Sequence, residues 1–445
     1  MKSQTVKILR YNSEGAGIGA LESGKTVFVP FAVSGETVEI SVSGEQKNFA
    51  FGKLEKVIEA STNRVTPVCP VYGRCGGCAL MHISYEKQLE IKKEIVQGSL
   101  KRIAGIDFEP ADTVPSPDSF GYRNKTSLSV SAAGGGPSIG FYETGSHNVA
   151  GIDSCPICGG WLSPVIDIFK KYIAGYKVPV YDSATGKGLI RHIVARRFLG
   201  TVQICAVING AALPETKALI AMLQEKCSSF SLSLSVNTAK TEIILGDKII
   251  KLSGGGKQAG SIAGIKYSAG IDSFLQVNTK VAESLYLKAL ELSEADENDT
   301  VIDAYSGIGI LTALFARKAR KVYGIETVPA AVADANALMR ENGIGNAQNI
   351  LGDCGKILPR LVEEIGRDFI AVLDPPRKGC DKAVVDALIQ NPARKIIYIS
   401  CDPATLSRDL KLLTAPGTYR LTYCQPFDMF PQTPNIETLS CLTRI

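Results

Sequence analysis

From residue 300 onward, short apolar runs alternate with stretches of helical periodicity, and few folds accept that pattern. Thr300-Val301-Ile302-Asp303, Lys321-Val322-Tyr323-Gly324-Ile325-Glu326, Phe369 to Leu373 and Lys395 to Ile399 read as strands. Helices are expected from about Gly309 to Lys318 and from about Pro329 to Asn342. Strands separated by helices pair in parallel, so residues 266–445 are predicted to form a Rossmann-like, doubly wound α/β domain.

Such a sheet gathers its chemistry at the carboxyl ends of its strands. Asp303 closes the first strand, and Gly307 and Gly309 follow in a turn that lets backbone approach a ligand over the next helix. Glu326 closes the second strand, at the spacing where an acidic side chain accepts from ribose hydroxyls. That loop alone equally suits a dinucleotide. Gly352-Asp353, placed to receive an adenine amino group, and Asp374-Pro375-Pro376-Arg377 after the fourth strand shift the expectation to S-adenosylmethionine. A bare helix cap is the rival role for Asp353. Cys401 ends a further apolar strand and precedes Asp402-Pro403, which turns the chain at the same edge. A thiol delivered there is expected to be a nucleophile, its rival role being a small core residue. Glu437, after the loop Met429 to Asn435, is the candidate general base, although a glutamate after a turn is ordinarily solvated surface.

A chain of 445 residues implies two or three domains. Residues 1–60 alternate apolar and polar side chains between glycine turns, which predicts a small antiparallel β-barrel of the oligonucleotide-binding type. Its alternative uses are protein docking and plain structural support. Residues 61–265 read as a central α+β domain with a cysteine-rich opening. Its helix, from Tyr85 to Ile103, carries Leu89, Val96, Leu100 and Ile103 near helical spacing with lysines between, and is a candidate to pack on the catalytic domain.

The net charge of +5 is too small to name a partner, but residues 61–200 hold 16 basic and 11 acidic side chains. That excess is compatible with phosphate contacts and equally with a solvated face. No apolar stretch approaches the roughly 20 residues of a spanning helix. The start also lacks the apolar centre of a signal peptide, so a cytoplasmic protein is expected. Twelve cysteines in that compartment stay reduced, and the grouping of Cys69, Cys75 and Cys78 with Cys155 and Cys158 suggests metal ligation. The spacing is irregular for a zinc ribbon, yet four thiolates suit either zinc or an iron–sulfur cluster. The remaining cysteines read as packing residues, Cys401 apart.

On these motifs the chain resembles the RNA uracil-5-methyltransferases, specifically the TRAM-domain and iron-sulfur-containing 23S rRNA type. The likeness runs nearly end to end. It takes in residues 1–60, Ser61 to Pro70, Cys75-Gly76-Gly77-Cys78, Gly121-Tyr122-Arg123-Asn124-Lys125, Phe274-Leu275-Gln276-Val277-Asn278, the 303–309 turn, Asp374 to Arg377 and Ser400-Cys401-Asp402-Pro403. The resemblance implies that Gln276, Tyr305, Glu326 and Asp374 hold S-adenosylmethionine, with Asp353 where an adenine contact often falls. It implies that Cys401 adds to C6 of uracil and that Glu437 removes the C5 proton. It implies a [4Fe-4S] cluster on Cys69, Cys75, Cys78 and Cys155, with Cys155 ahead of Cys158.

The partner so implied is RNA, 23S rRNA foremost, because the tRNA enzymes of the family commonly lack the barrel and the cysteines. The same reaction on tRNA, and a catalytically silent RNA-binding or assembly factor, are the other readings. No obligate protein partner is evident. A base inside folded RNA must be extruded to be reached. Arg123, Lys125, Arg191, His192, Arg196 and Arg197 are candidates for phosphate contacts, and Tyr122 and Phe141 for stacking. One departure stands out: members commonly carry histidine two positions before the base, and this chain has Asn435.

Overall fold

The computed structural model of the chain describes residues 3–133 and 135–445. Seven strands form the C-terminal sheet, in the order Ala347–Leu351, Lys321–Glu326, Thr300–Ala304, Phe369–Leu373, Lys395–Ser400, Glu437–Arg444 and Tyr419–Phe427. The first five run parallel and the last two antiparallel. Every residue of Thr300–Ala304 and Phe369–Leu373 is buried, as a sheet covered by helices on both faces requires. Between these two strands the order reverses, because the chain first builds outward to Ala347–Leu351 and then returns. The crevice at that reversal is where such sheets bind ligands.

At the N-terminus six strands form one sheet, ordered Ser3–Lys7, Thr37–Glu45, Phe49–Glu59, Thr26–Val29, Gly17–Ala20 and Arg10–Tyr11. The expectation of purely antiparallel pairing needs correction, since Thr26–Val29 runs parallel to Phe49–Glu59. The intervening strand Thr37–Glu45 supplies the crossover that parallel pairing demands. The sheet rolls until Leu9 N–H donates to Ile18 O at 2.8 Å, around a core of Val6, Ile8, Val27, Val29, Val38 and Ile40. Gly19 permits that closure: a Cβ there would lie 2.3 Å from the Val6 side chain.

A second seven-stranded sheet occupies the middle of the chain, ordered Ile249–Ser253, Phe230–Val236, Thr201–Ile208, Ile190–Phe198, Lys125–Ala133, Gly136–Tyr142 and Val149–Gly151. The helices Ser163–Gly175 and Thr216–Lys226 share its core. The segment 61–265 is nevertheless not one packing unit. Helix α1, Tyr85–Ser99, continues through a wider turn to Ala104 and packs against the helix Pro403–Thr414 and the strand Tyr419–Phe427. Its buried face is Gln88, Ile91, Lys92, Ile95, Val96 and Ser99, extended by Leu100. Leu89 is only half-buried and Ile103 is exposed, so the apolar stripe read from the sequence is rotated. Each buried Ile, Val or Leu of that face contributes on the order of 1.5–3 kcal/mol, which fixes α1 to the C-terminal sheet. The hairpin Gln258–Ile262 and Ile265–Ala269 spans the expected boundary at 265 and packs on the helix Pro329–Glu341. No helix among the described residues is long and apolar enough to cross a membrane.

Candidate active site

Backbone geometry builds the turn after Thr300–Ala304. Tyr305, Gly307 and Gly309 all take positive φ, at 68°, 55° and 84°. Gly309 is obligatory for space as well, since a Cβ there would lie 2.9 Å from Ala335 Cβ. Ser306 N–H donates to Ile325 O at 3.0 Å and Gly307 N–H to Glu326 Oε2 at 3.0 Å, locking the turn to the neighbouring strand. The other oxygen of Glu326 accepts from Val328 N–H at 2.7 Å. A carboxylate has about four acceptor positions, so Glu326 keeps capacity for two hydroxyls. Asp353 stands at the cap position just before the helix Cys354–Ile365, but its side chain makes no capping bond and is exposed. The Gln276 side chain is buried, while its carbonyl accepts from Asn124 Nδ2 at 3.2 Å.

Buried polar atoms without a protein partner gather at this edge: Asp303 Oδ1, Tyr305 OH, Ser306 Oγ, Asn349 Oδ1, Glu437 Oε2 and Thr438 Oγ1. Each such atom costs about 1–3 kcal/mol, so their concentration marks a place built to meet a polar ligand. Tyr305 is the exception in direction, because its ring packs on the apolar core and its hydroxyl lies beside Cys380. Its contribution to a ligand is therefore through backbone. With these acceptors and the glycine turn, the residues present fit S-adenosylmethionine.

Cys401 and Glu437 meet across the antiparallel pairing of Lys395–Ser400 with Glu437–Arg444. Ser400 pairs with Thr438 at the last rung, with Cys401 the next residue beyond Ser400 and Glu437 the one before Thr438, near enough for the Glu437 charge to act on the thiol. Cys401 is half-buried, just ahead of the helix Pro403–Thr414, whose Asp402 cap accepts from Ala404 and Thr405 N–H at 2.9 Å. Burial, with the charges of Glu437 and Asp374, pushes the thiol up to about 11, while Arg377 opposes that shift. Glu437 is 3% exposed, and burial together with the Asp374 charge holds it well above the usual carboxylate range, again opposed by Arg377. Asp374 itself is pushed up to about 7 by burial and by Asp303, and Asp303 to about 7 by burial against the hydrogen bond from Thr312 at 2.5 Å. Sequence reasoning assigned no role to Arg377, Asp303 or Tyr286. Tyr286, buried on the helix Thr279–Ser293, feels the charges of Asp374, Glu437 and Asp303. Arg377 and Asp303, each inside a motif, carried a signal, whereas Tyr286 carried none.

The loop between the last two strands is held from far away in the chain. Lys92 Nζ, on α1, binds Asp428 Oδ1, Phe430 O at 3.1 Å and Asn435 O at 2.9 Å. Tyr85 OH donates to Asp428 Oδ2 at 2.7 Å, and Tyr122 OH to Pro431 O at 3.0 Å. The Gln88 and Gln432 side chains bond at 3.0 Å, and Gln432 N–H donates to Gln88 Oε1 at 3.0 Å. Asn435, where the sequence departs from the usual histidine, points an exposed side chain at the cysteine cavity and is held by its carbonyl.

That cavity, of about 220 Å³, is lined by Cys69, Cys75, Cys78 and Cys155 with Arg123, Phe141, Phe430, Thr433 and Asn435. Cys158 is fully buried beside Cys155 and is not part of the lining. Its thiol and nearby backbone N–H groups hold Cys155 down to about 7, whereas burial pushes Cys69, Cys75 and Cys78 up. Among the described residues no group of three or more His, Cys, Asp or Glu side chains is gathered as for a bound metal ion, which chooses neither zinc nor an iron–sulfur cluster.

The basic set read from the sequence needs correction. Arg191 is buried on the carbonyls of Asn237 and Ala239, Arg196 on those of Gly270 and Ser273, and Tyr122 is core. His192, pushed down to about 4 by burial and Arg191, and Lys125, pushed down to about 8, are half-buried. Arg123 and Phe141 line the cysteine cavity, which leaves Arg197 as the exposed member of the set.

A strand order that reverses over a glycine turn, with acceptors left open around it, defines the C-terminal domain as a nucleotide-cofactor-binding α/β sheet of the kind methyltransferases use. Residues 84–352 and 365–445 match the family model described as tRNA (Uracil-5-)-methyltransferase, and residues 2–54 match the TRAM domain. The chain belongs to the RNA uracil-5-methyltransferase family. An uncharacterized RNA methyltransferase of Clostridium tetani is 39% identical over 434 residues, covering 97% of this chain and 94% of its own. One from Caldanaerobacter subterraneus is 38% identical over 443 residues, covering 99% and 98%. The solved Pyrococcus abyssi tRNA (uracil-54, C5)-methyltransferase in complex with S-adenosyl-L-homocysteine superposes with a TM-score of 0.78 at 28% identity, covering 98% of this chain and 99% of that one. The match to a tRNA enzyme runs over nearly the whole chain, so the barrel by itself does not separate rRNA from tRNA members.

Proposed function

We propose that this enzyme methylates C5 of a uracil in large-subunit rRNA, 23S rRNA in a bacterium, through a temporary bond between Cys401 and the base. The observation that carries the reading is the placement of Cys401 and Glu437 on either side of the Ser400–Thr438 rung, at the edge that also holds the 303–309 turn. Gln276, Glu326, Asp353, Asp374 and the backbone of Tyr305 would hold S-adenosylmethionine, which would supply an electrophilic methyl group. Cys401 gives its proton to solvent and Sγ adds to C6, breaking the C5–C6 π bond, whose pair becomes an enolate over C5 and the C4 carbonyl and makes C5 nucleophilic. Arg377 favours the thiolate and the ionised base. After methylation Glu437 takes the C5 proton, the Sγ–C6 bond breaks and the double bond returns.

RNA containing 5-fluorouridine tests this, because fluorine cannot leave as a proton. A covalent adduct should form and should vanish in Cys401→Ala; an adduct that persists in that variant removes Cys401 from the role.

The four thiols of Cys69, Cys75, Cys78 and Cys155 would hold a [4Fe-4S] cluster, which takes one thiolate at each of four corners and so suits cysteines spread around a cavity. Iron and sulfide content after anaerobic purification checks this, and iron-free protein from that preparation refutes it. The Pyrococcus abyssi match supports tRNA as a second target. Mapping 5-methyluridine in rRNA and tRNA from cells with and without the protein separates the two.

A further inference from the structure

Lys92 is among the largest fully buried side chains of the molecule, and its ammonium group sits on the face by which α1 joins the C-terminal sheet. Burying a charge is costly, and an apolar side chain of similar volume would serve packing at least as well. The reason for a lysine therefore lies in what its three donors do. Each finds a partner on one loop: the Asp428 carboxylate and the Phe430 carbonyl at its start, and the Asn435 carbonyl at its end. Asp428 is equally buried, its second oxygen taken by Tyr85 OH and its N–H given to Val114 O at 2.9 Å. The loop is thus closed at both ends by a single cation, two residues before Glu437.

We propose that Lys92 is a positioning residue for the base, clamping residues 428–435 so that Glu437 meets the C5 proton. This rests on the reading of Glu437 given above. Glu437 is the first residue of its strand, so its direction depends on where the loop ends as well as on the ladder. Misplacement of a catalytic group by about 1 Å costs on the order of 100-fold in rate. The clamp also accounts for Asn435, because the backbone oxygen is what Lys92 holds and the side chain is free to vary.

The test compares two steps in Lys92→Met and in the double variant Lys92→Met/Asp428→Asn, which leaves no buried charge unpaired. The first step is adduct formation with 5-fluorouridine RNA, which needs Cys401 but not the base. The second is turnover on natural RNA. Turnover should fall at least tenfold while adduct formation stays within about twofold, and methylated RNA should accumulate bound to Cys401. Turnover unchanged in the folded variants, or both steps falling in parallel, overturns the proposal. If Lys92→Met does not fold, the double variant carries the same two outcomes, and Asp428→Asn alone, which keeps a hydrogen-bonding partner for Lys92, replaces it if the double variant also fails. Glu437→Gln runs alongside. Normal turnover there defeats the base reading, whereas a stalled Glu437→Gln beside freely turning Lys92 variants defeats the clamp alone.

Discussion

Two loops meet at the carboxyl edge of the C-terminal sheet, and they are held in opposite ways. The 303–309 turn is fixed by its immediate surroundings, through Ile325 O, Glu326 and the helix that Gly309 begins. The 428–436 loop is fixed by Tyr85, Gln88, Lys92 and Tyr122, more than 300 positions away along the chain. A cofactor site can be assembled from one supersecondary unit. The loop ahead of Glu437, the proposed base, makes these bonds only when the central segment docks on the C-terminal sheet.

The largest effect expected from this contrast lies on the local side. Glu326→Ala removes the anchor of the glycine turn and should weaken cofactor binding by roughly 10–100-fold, the cost of losing charge-assisted hydrogen bonds. Titration calorimetry with S-adenosylhomocysteine measures it, and unchanged affinity would show that the turn holds itself. On the remote side, Gln88→Leu breaks the paired amides with Gln432 and should lower turnover about tenfold with cofactor affinity within twofold. A parallel loss of cofactor binding would erase the distinction between the loops.

Acidity sharpens the comparison next. Glu437 is held above the usual carboxylate range by burial and by the Asp374 charge, so its ionised fraction, and with it turnover, should grow as pH rises. Arg377 lowers both Glu437 and Cys401, so Arg377→Met should move the rising limb of the pH–rate profile upward. At a fixed pH below that limb the rate should drop by about tenfold. A profile that moves downward contradicts the placement of this cation. The smallest effect is expected for Asn435→Ala, because the clamp uses the carbonyl: steady-state turnover should change by less than about twofold.

What sequence could reveal follows the same division. Strand–helix alternation and the residues Asp303, Gly307, Gly309 and Glu326 are local patterns, and the parallel strands and turn are where the sequence put them. Cys401 and Glu437 were nameable as residues facing one edge, but their pairing depends on the register of Ser400 with Thr438. Lys92 and Gln88 escaped notice because a lysine or glutamine inside a helical repeat reads as solvent-facing; they are buried because their partners come from the loop between the last two strands of the sheet. Arg191 and Arg196 misled for the same reason, each satisfied by carbonyls of segments distant in sequence.

The clamp on α1 also governs the order in which the molecule becomes competent. Contacts between residues so far apart close late, after the loop-closure entropy of the intervening chain has been overcome. Secondary structure and cofactor affinity can therefore return during refolding before methyl transfer does. A molecule whose middle has misassembled is left able to hold its methyl donor yet unable to finish a catalytic cycle, so complete tertiary assembly becomes a licence for chemistry on RNA.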